Sequence, residues 1–162
     1  MSRPCVFLDR DGVINEKAPE GEYIESWSKF RFLPNIIDWI RLFNALDHMV
    51  IIVTNQRGVA RGFMTEQDLV DIHEKMCQAL AEKGARIDDI FYCPHEEGTC
   101  DCRKPRPGLV RRAVEKWDID LSRSLLIGDS ERDTELAQTC GLRFLRANAG
   151  RLVYGRLVQP SD

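Results

Sequence analysis

The chain has 162 residues, 43% of them hydrophobic and 30% charged, and a formal net charge of −3. That length buries a sizeable core without staples, and the acidic balance supplies no overall field for gathering nucleic acid. The N-terminal apolar run meets Asp9 and Arg10 at once, unlike a signal peptide, and no apolar stretch approaches membrane-spanning length. The sequence therefore points to a cytoplasmic protein of one domain, residues 1–162, with no membrane or nucleic-acid partner.

In chain order, Val6–Leu8 is a short apolar run that ends in Asp9-Arg10-Asp11-Gly12. Residues 12–31 are too long for a plain connection and read as a flap able to fold over a site. Pro34 opens a helix whose Ile36, Ile37, Ile40 and Phe43 share one face. Met49–Val53 is β-branched and continuous, as in a strand buried on both faces, and it ends in Thr54-Asn55-Gln56. Thr65-Glu66-Gln67-Asp68 has the form of a capping box, followed by Leu69, Ile72, Met76 and Leu80 at helical spacing, with Gly84 closing the helix. Ile90–Tyr92 is a third strand, and Leu109–Trp117 is helical. Leu125–Ile127 is a fourth strand ending in Gly128-Asp129-Ser130, Glu131–Thr139 is a helix closed by Gly141, and Phe144–Leu145 is a last short strand. Residues after Arg151 carry little pattern. Strands alternating with helices define an α/β fold with a mainly parallel central sheet.

In open parallel sheets, ligands bind beyond the carboxyl ends of the strands. Asp9 and Asp11, Thr54, Lys104 after the third strand and its loop, and Asp129 then meet at one edge, with Asp133 one helical turn further. So many carboxylates need a hard cation such as magnesium between them. A lysine and a hydroxyl on the same edge call for an oxyanion. Metal, oxygen nucleophile, oxyanion donors and an acid are together what phosphoryl transfer requires. Each piece alone has an ordinary reading as a turn, strand exit or helix entry; the four in succession make the signal.

Of six cysteines, Cys5, Cys77 and Cys140 are scattered and read as structural thiols. Cys93, His95, Cys100 and Cys102 form a cluster Cys-x-His-x4-Cys-x-Cys. Three thiolates and an imidazole suit a filled, structural tetrahedral zinc site, which would pin loop 93–102 and place Arg103 and Lys104 directly behind it. A redox pair or a coincidental cluster is the alternative.

Asp9-Arg10-Asp11-Gly12-Val13-Ile14, Thr54-Asn55-Gln56, Arg103-Lys104-Pro105 and Gly128-Asp129-Ser130-Glu131-Arg132-Asp133 resemble, in order, the four motifs of the haloacid dehalogenase superfamily. Within it they are similar to the branch of heptose bisphosphate and histidinol-phosphate phosphatases, which also carries a zinc loop before Arg-Lys-Pro. The resemblance implies a Rossmann-like three-layer α/β/α fold without a large cap domain. It implies that Asp9 is the nucleophile of an aspartyl-phosphate mechanism and that Asp11 is the general acid and later the base. Thr54 and Lys104 would hold the phosphoryl oxygens, with Asn55, Gln56, Arg61 and Arg103 on the phosphate and substrate side. Magnesium would lie on Asp9, Asp129 and the backbone carbonyl of Asp11, supported by Asp133.

The stretch from Gly58 to Thr65 resembles the heptose enzymes, and Arg57, Arg61, Arg103 and Arg106 suit a second phosphate. The expected reaction is therefore hydrolysis of D-glycero-D-manno-heptose 1,7-bisphosphate at its 7-phosphate. The four residues between His95 and Cys100 are more like the histidinol-phosphate type, which is the alternative. A polynucleotide end phosphatase and a non-catalytic zinc module are remoter readings. The sequence leaves the oligomeric state open and is compatible with a monomer.

Overall fold

The computed structural model describes residues 1–148 and the backbone of residues 151–153. The rest of the stretch after Arg151 lies outside the described residues. The elements are β1 (Cys5–Leu8), α1 (Ile36–Ala45), β2 (Met49–Asn55), α2 (Glu66–Glu82), β3 (Asp89–Cys93), α3 (Gly108–Lys116), β4 (Leu125–Gly128), α4 (Glu131–Cys140), β5 (Arg143–Asn148) and β6 (Arg151–Val153). They form a six-stranded sheet in the order β3-β2-β1-β4-β5-β6. The first five strands run parallel, and β6 returns antiparallel on β5.

Side-chain alternation along the strands sorts the core into two layers. Val6, Leu8, Val50, Ile52 and Ile127 pack with Ile40 and Phe43 of α1 and with Ile72, Met76 and Leu80 of α2. Phe7, Ile51, Val53 and Leu126 pack with Leu109 and Ala113 of α3 and with Leu136 and Ala137 of α4. Both faces are covered, which is why the strands read as unbroken apolar runs. Each such side chain contributes about 1.5–3 kcal/mol when fully buried, more than any local propensity in these short strands.

The strand order places the site. From β1 the chain moves outward through β2 to β3, then crosses to the other side of β1 to lay down β4. Neighbouring strands whose connections depart in opposite directions leave a crevice at their carboxyl ends. Asp9 follows β1 and Asp129 follows β4, so both stand at that crevice.

Several boundaries differ from the sequence reading. Pro34 lies outside α1, which begins at Ile36 after Asn35 in a left-handed conformation (φ 68°) with no side-chain cap. The strand expected at Phe144–Leu145 extends over Arg143–Asn148, because pairing with both β4 and β6 supports its flanks. β6 itself carried no recognisable pattern. Within 12–31, Ile24 and Phe30 are buried and Trp27 stacks on Phe30 at 4.9 Å, so that half is anchored to the core. Glu16, Lys17 and residues 19–22 are exposed.

The capping box at α2 is present in full: Asp68 N–H donates to Thr65 Oγ1 at 3.0 Å, and Thr65 N–H donates to Asp68 Oδ2 at 2.8 Å. Thr65→Ala should therefore lower stability by about 1 kcal/mol. Urea denaturation should show a lower midpoint at an unchanged slope, since the exposed surface is the same.

Candidate active site

Asp9 is buried beyond the end of β1. Its Oδ1 accepts from Arg10 N–H at 2.8 Å and lies 3.0 Å from Lys104 Nζ. Lys104 is 3% exposed and also donates to Asp133 Oδ1 at 2.7 Å. Burial pushes the Asp9 carboxyl up to about 7; Lys104 opposes this, while Asp133, Asp11 and Asp129 add to it. Burial works against the Lys104 charge, but Asp9 and Asp133 outweigh it and hold the ammonium above its usual range. The other oxygen of Asp133 takes Ser130 Oγ at 3.0 Å and Asp129 N–H at 3.3 Å. Both Asp133 oxygens are thus committed inside the protein.

Asp9, Asp129 and Asp133 bring carboxylate oxygens within 4.8 Å of one another. Asp129 Oδ2 pairs with Lys17 at 2.5 Å, whereas its buried Oδ1 has no partner among the described residues. A buried, unpartnered carboxylate oxygen beside two further acids fits a hard divalent cation such as magnesium. Room for this comes from glycine. At Gly12 (φ 87°) a Cβ would lie 2.1 Å from Asp129 Oδ2, so no side chain is tolerated there.

Asp11 points elsewhere. Its Oδ1 accepts from Arg10 Nη2 at 2.9 Å and Asn15 Nδ2 at 2.8 Å, and its Oδ2 accepts from Gln56 Nε2 at 2.8 Å. Burial alone would raise this carboxyl, but the Arg10 charge and the hydrogen bonds from Asn15, Arg10 and Gln56 hold it below its usual range. With the carboxylate so engaged, the Asp11 carbonyl is the group left for a metal, as the sequence resemblance implies.

Thr54 is wholly buried at the end of β2, and its Oγ1 accepts from Gln56 Nε2 at 3.0 Å. Asn55 lines the cavity, where the sequence reading expects it to meet the substrate. Its Nδ2 also donates to Lys104 O at 3.2 Å and its Oδ1 accepts from Lys104 N–H at 2.9 Å, so the amide clamps the Lys104 backbone. Arg61 departs from its expected place: its Nε donates to Glu96 at 2.9 Å, and it does not line the main cavity.

That cavity, of about 450 Å³, opens over Asp9, Asp11 and Asp129. Arg57, Arg103 and Arg132 line it as well. Arg103 is 7% exposed, and its Nε and Nη1 have no partner among the described residues. Burial lowers its pKa, and repulsion from Arg132 and Arg57 lowers it further. Three guanidiniums crowded together, only two of them with acidic partners, favour an anion between them. Glu96 and Glu97 reach Arg57 and Arg132 only from 3.4 and 3.8 Å. Lys17 and Tyr23, from the 12–31 stretch, complete the rim. The sequence reading gave no role to Lys17 and Tyr23, which fall in the 12–31 stretch read only as a flap, or to Arg132, which falls inside the fourth motif between two acids.

Behind Arg103, the donor atoms of Cys93, His95, Cys100 and Cys102 all lie within 4.8 Å of one another. Cys93 Sγ is 2.9 Å from Cys102 Sγ and 3.4 Å from both Cys100 Sγ and His95 Nδ1. A donor set of three sulfurs and one nitrogen at this spacing fits tetrahedral zinc. The loop is locked onto α3 at Gly108, whose N–H donates to Asp101 O at 3.1 Å and whose Cβ, if present, would meet that oxygen at 2.5 Å.

Five parallel strands with acids at the β1 and β4 ends, an intervening lysine and a match of residues 101–151 to the HAD-hydrolase-like family model define a haloacid dehalogenase-type hydrolase. The D-glycero-β-D-manno-heptose-1,7-bisphosphate 7-phosphatase of Rhodopseudomonas palustris is 43% identical over 152 residues, covering 89% of this chain and 83% of that one. The D-glycero-α-D-manno-heptose-1,7-bisphosphate 7-phosphatase of Mycobacterium bovis is 41% identical over 135 residues, covering 82% and 70%. The crystal structure of a D,D-heptose 1,7-bisphosphate phosphatase from B. bronchiseptica, complexed with magnesium and phosphate, superposes with a TM-score of 0.83 at 36% identity, covering 91% of this chain and 83% of that one. This chain belongs to the D-glycero-D-manno-heptose-1,7-bisphosphate phosphatase family. The short His95-to-Cys100 spacing, read above as closer to the histidinol-phosphate type, therefore occurs in a member of the heptose branch.

Two outcomes follow from the zinc loop and from His73, which lies on the inner face of α2. Zinc should be present at one ion per chain by elemental analysis of protein purified under reducing conditions. Its removal should loosen loop 93–102, read as faster amide exchange there, without weakening magnesium binding. The His73 imidazole is pushed down to about 3 by burial and then by the Arg10 charge, with Asp11 opposing. A depressed folded value means stability that is present above the ordinary value of 6.5 and lost as pH falls below it. Between pH 6.5 and 5, His73→Gln should show a shallower loss of unfolding free energy than the parent, the difference in slope being at most about 1.4 kcal/mol per pH unit.

Proposed function

We propose that this chain hydrolyses the 7-phosphate of D-glycero-D-manno-heptose 1,7-bisphosphate, with Asp9 as nucleophile. The observation that carries the reading is one cavity lined by two unlike sets of side chains. Asp9, Asp129 and Lys104 form one set; Arg57, Arg132 and Arg103, whose Nε and Nη1 have no partner among the described residues, form the other. A substrate with two phosphates satisfies both sets; a single phosphate with an ammonium would leave the arginines unmatched. The family and its structurally characterised member support the same choice over histidinol phosphate.

In this mechanism an Asp9 carboxylate oxygen attacks phosphorus while the bond from phosphorus to the sugar oxygen breaks. Asp11 gives a proton to that departing oxygen; its carboxyl, held low by Arg10, Asn15 and Gln56 in the free protein, is raised into the donating form by the negative charge of the bound phosphate beside it. Lys104 and the Thr54 hydroxyl donate to the non-bridging oxygens, and both are held in place, Lys104 by Asn55 and Asp133, Thr54 by burial. Asp11, now a carboxylate, takes a proton from water as that water attacks the aspartyl-phosphate phosphorus. The bond to Asp9 breaks, inorganic phosphate leaves, and both aspartates return to their starting states. Magnesium, when held by Asp9, Asp129 and the Asp11 carbonyl, offsets the negative charge that gathers between acids and phosphoryl group. Residues 1–162 serve as one catalytic domain, with a small phosphorylated sugar rather than nucleic acid as its partner and the cytoplasm as its location. The 12–31 stretch borders the bound sugar as a flap.

Phosphate release from the heptose bisphosphate and from histidinol phosphate, at equal concentrations with magnesium, tests this reading. The bisphosphate should be preferred in kcat/KM, and Arg103→Met should narrow that preference by raising KM for the bisphosphate alone. Asp9→Asn should abolish turnover with the fold intact by circular dichroism. Equal turnover of the two substrates would sink the argument from the three arginines, and residual turnover near the parent rate in Asp9→Asn would sink the covalent one.

A further inference from the structure

Arg10 lies between the two aspartates in sequence, yet its side chain is 0% exposed and turned inward. An arginine keeps its charge in a protein, so a guanidinium buried to this extent must be held by its partners. Nη2 donates to Asp11 Oδ1 at 2.9 Å, and the guanidinium carbon lies 5.9 Å from the Phe30 ring centroid. Nη1 faces Nε2 of His73 at 3.1 Å. Since the guanidinium only donates, His73 Nε2 must be the accepting nitrogen, which assigns the ring proton to Nδ1.

His73 comes from α2, in the layer behind the sheet, and is 5% exposed. Its ring lies 5.9 Å from Tyr92 on β3. The Asp11 carboxylate has three donors, from Arg10, Asn15 and Gln56. Asn15 and Gln56 belong to the loops at the strand ends. Among the described residues, Arg10 alone ties Asp11 to a helix, and it does so through His73. Arg10 Nε has no partner among those residues, so the link from α2 to Asp11 is carried by the two Nη groups.

We propose that His73 is a positioning residue for Asp11: by fixing the Arg10 guanidinium from α2, it orients the Asp11 carboxyl toward the leaving-group oxygen. This rests on the reading of Asp11 as general acid, and the test separates the two. A general acid matters in proportion to how much the leaving oxygen needs a proton. A nitrophenolate leaves readily as an anion; a sugar alkoxide does not.

The experiment compares kcat/KM of the magnesium-loaded full chain on heptose 1,7-bisphosphate and on p-nitrophenyl phosphate. Asp11→Asn should lose about 10²-fold or more on the sugar phosphate and far less on the aryl phosphate. His73→Phe, which keeps ring volume without an acceptor, should lose about tenfold on the sugar phosphate and less than about threefold on the aryl phosphate, a fraction of the effect of deleting the acid. His73→Gln, whose amide oxygen can accept from Arg10, should recover most of the loss. Should His73→Phe fail to fold, Arg10→Lys cuts the same link, because an ammonium cannot span His73 and Asp11 as a fork does. If Asp11→Asn shows no leaving-group dependence, the general-acid reading fails. If Asp11→Asn shows it while His73→Phe, or Arg10→Lys in its place, lowers both substrates equally or neither, the positioning role of His73 is overturned.

Discussion

The organisation of this protein depends on a single buried ammonium. Lys104 stands 3.0 Å from Asp9 and 2.7 Å from Asp133, with almost none of its surface reaching water. Two unit charges about 4 Å apart interact by about 4 kcal/mol at an effective dielectric near 20, so acids packed this closely would otherwise drive each other neutral. Lys104 keeps Asp133 ionised against its burial, and Asp133 in turn receives the amide of Asp129 and the hydroxyl of Ser130 at the start of α4. The lysine thereby connects the end of β1 with the end of β4 across the crevice. Gly128 belongs to the same arrangement, because a Cβ there would lie 2.3 Å from Asp133 Cβ.

Holding a lysine at such a point is a problem of backbone placement, and two devices share it. Asn55 bonds both the carbonyl and the amide of Lys104, which registers the loop against the end of β2. The cysteine and histidine donors, once filled by zinc, would pin the segment immediately before it, and Arg106 donates back to the Cys100 carbonyl. A loop has little buried apolar surface with which to fix itself, so an amide clamp and a metal-ready donor set stand where a core would otherwise do the fixing. The family resemblance assigns Asn55 to the substrate side; its hold on the Lys104 backbone becomes visible only when the partner, 49 residues away, is known.

How far the sequence was legible follows from the same physics. Asp9, Asp11, Thr54, Lys104 and Asp129 could be gathered because a parallel sheet delivers strand ends to one edge regardless of detail. The continuous run Met49–Val53 and the capping box at Thr65 are local signals and survive folding intact. Asn35 in a left-handed conformation before α1 leaves no local signature, and β6 depends on a neighbour rather than on its own residues. Arg132 looks like a surface charge in the first turn of α4 until Arg103 and Arg57 are placed beside it. His73 is the instructive omission. It falls four residues after Leu69 and three before Met76, within the apolar stripe of α2, so its burial was available from periodicity. What could not be read was its partner.

One feature of the cavity bears on how such an enzyme measures its substrate. Lys104, beside Asp9, and Arg103, in the same lining, are adjacent in the chain, so their α-carbons are fixed about 3.8 Å apart by covalent geometry. No hinge or loop movement can alter that interval. The charged ends stand further out on their stems, and because both side chains are buried, packing limits how far those ends can drift from one another. Such a gauge responds to the span between two anionic groups more than to the stereochemistry of what joins them. Exchanging either side chain would reset the length it accepts, whereas moving the loop would carry both cations together.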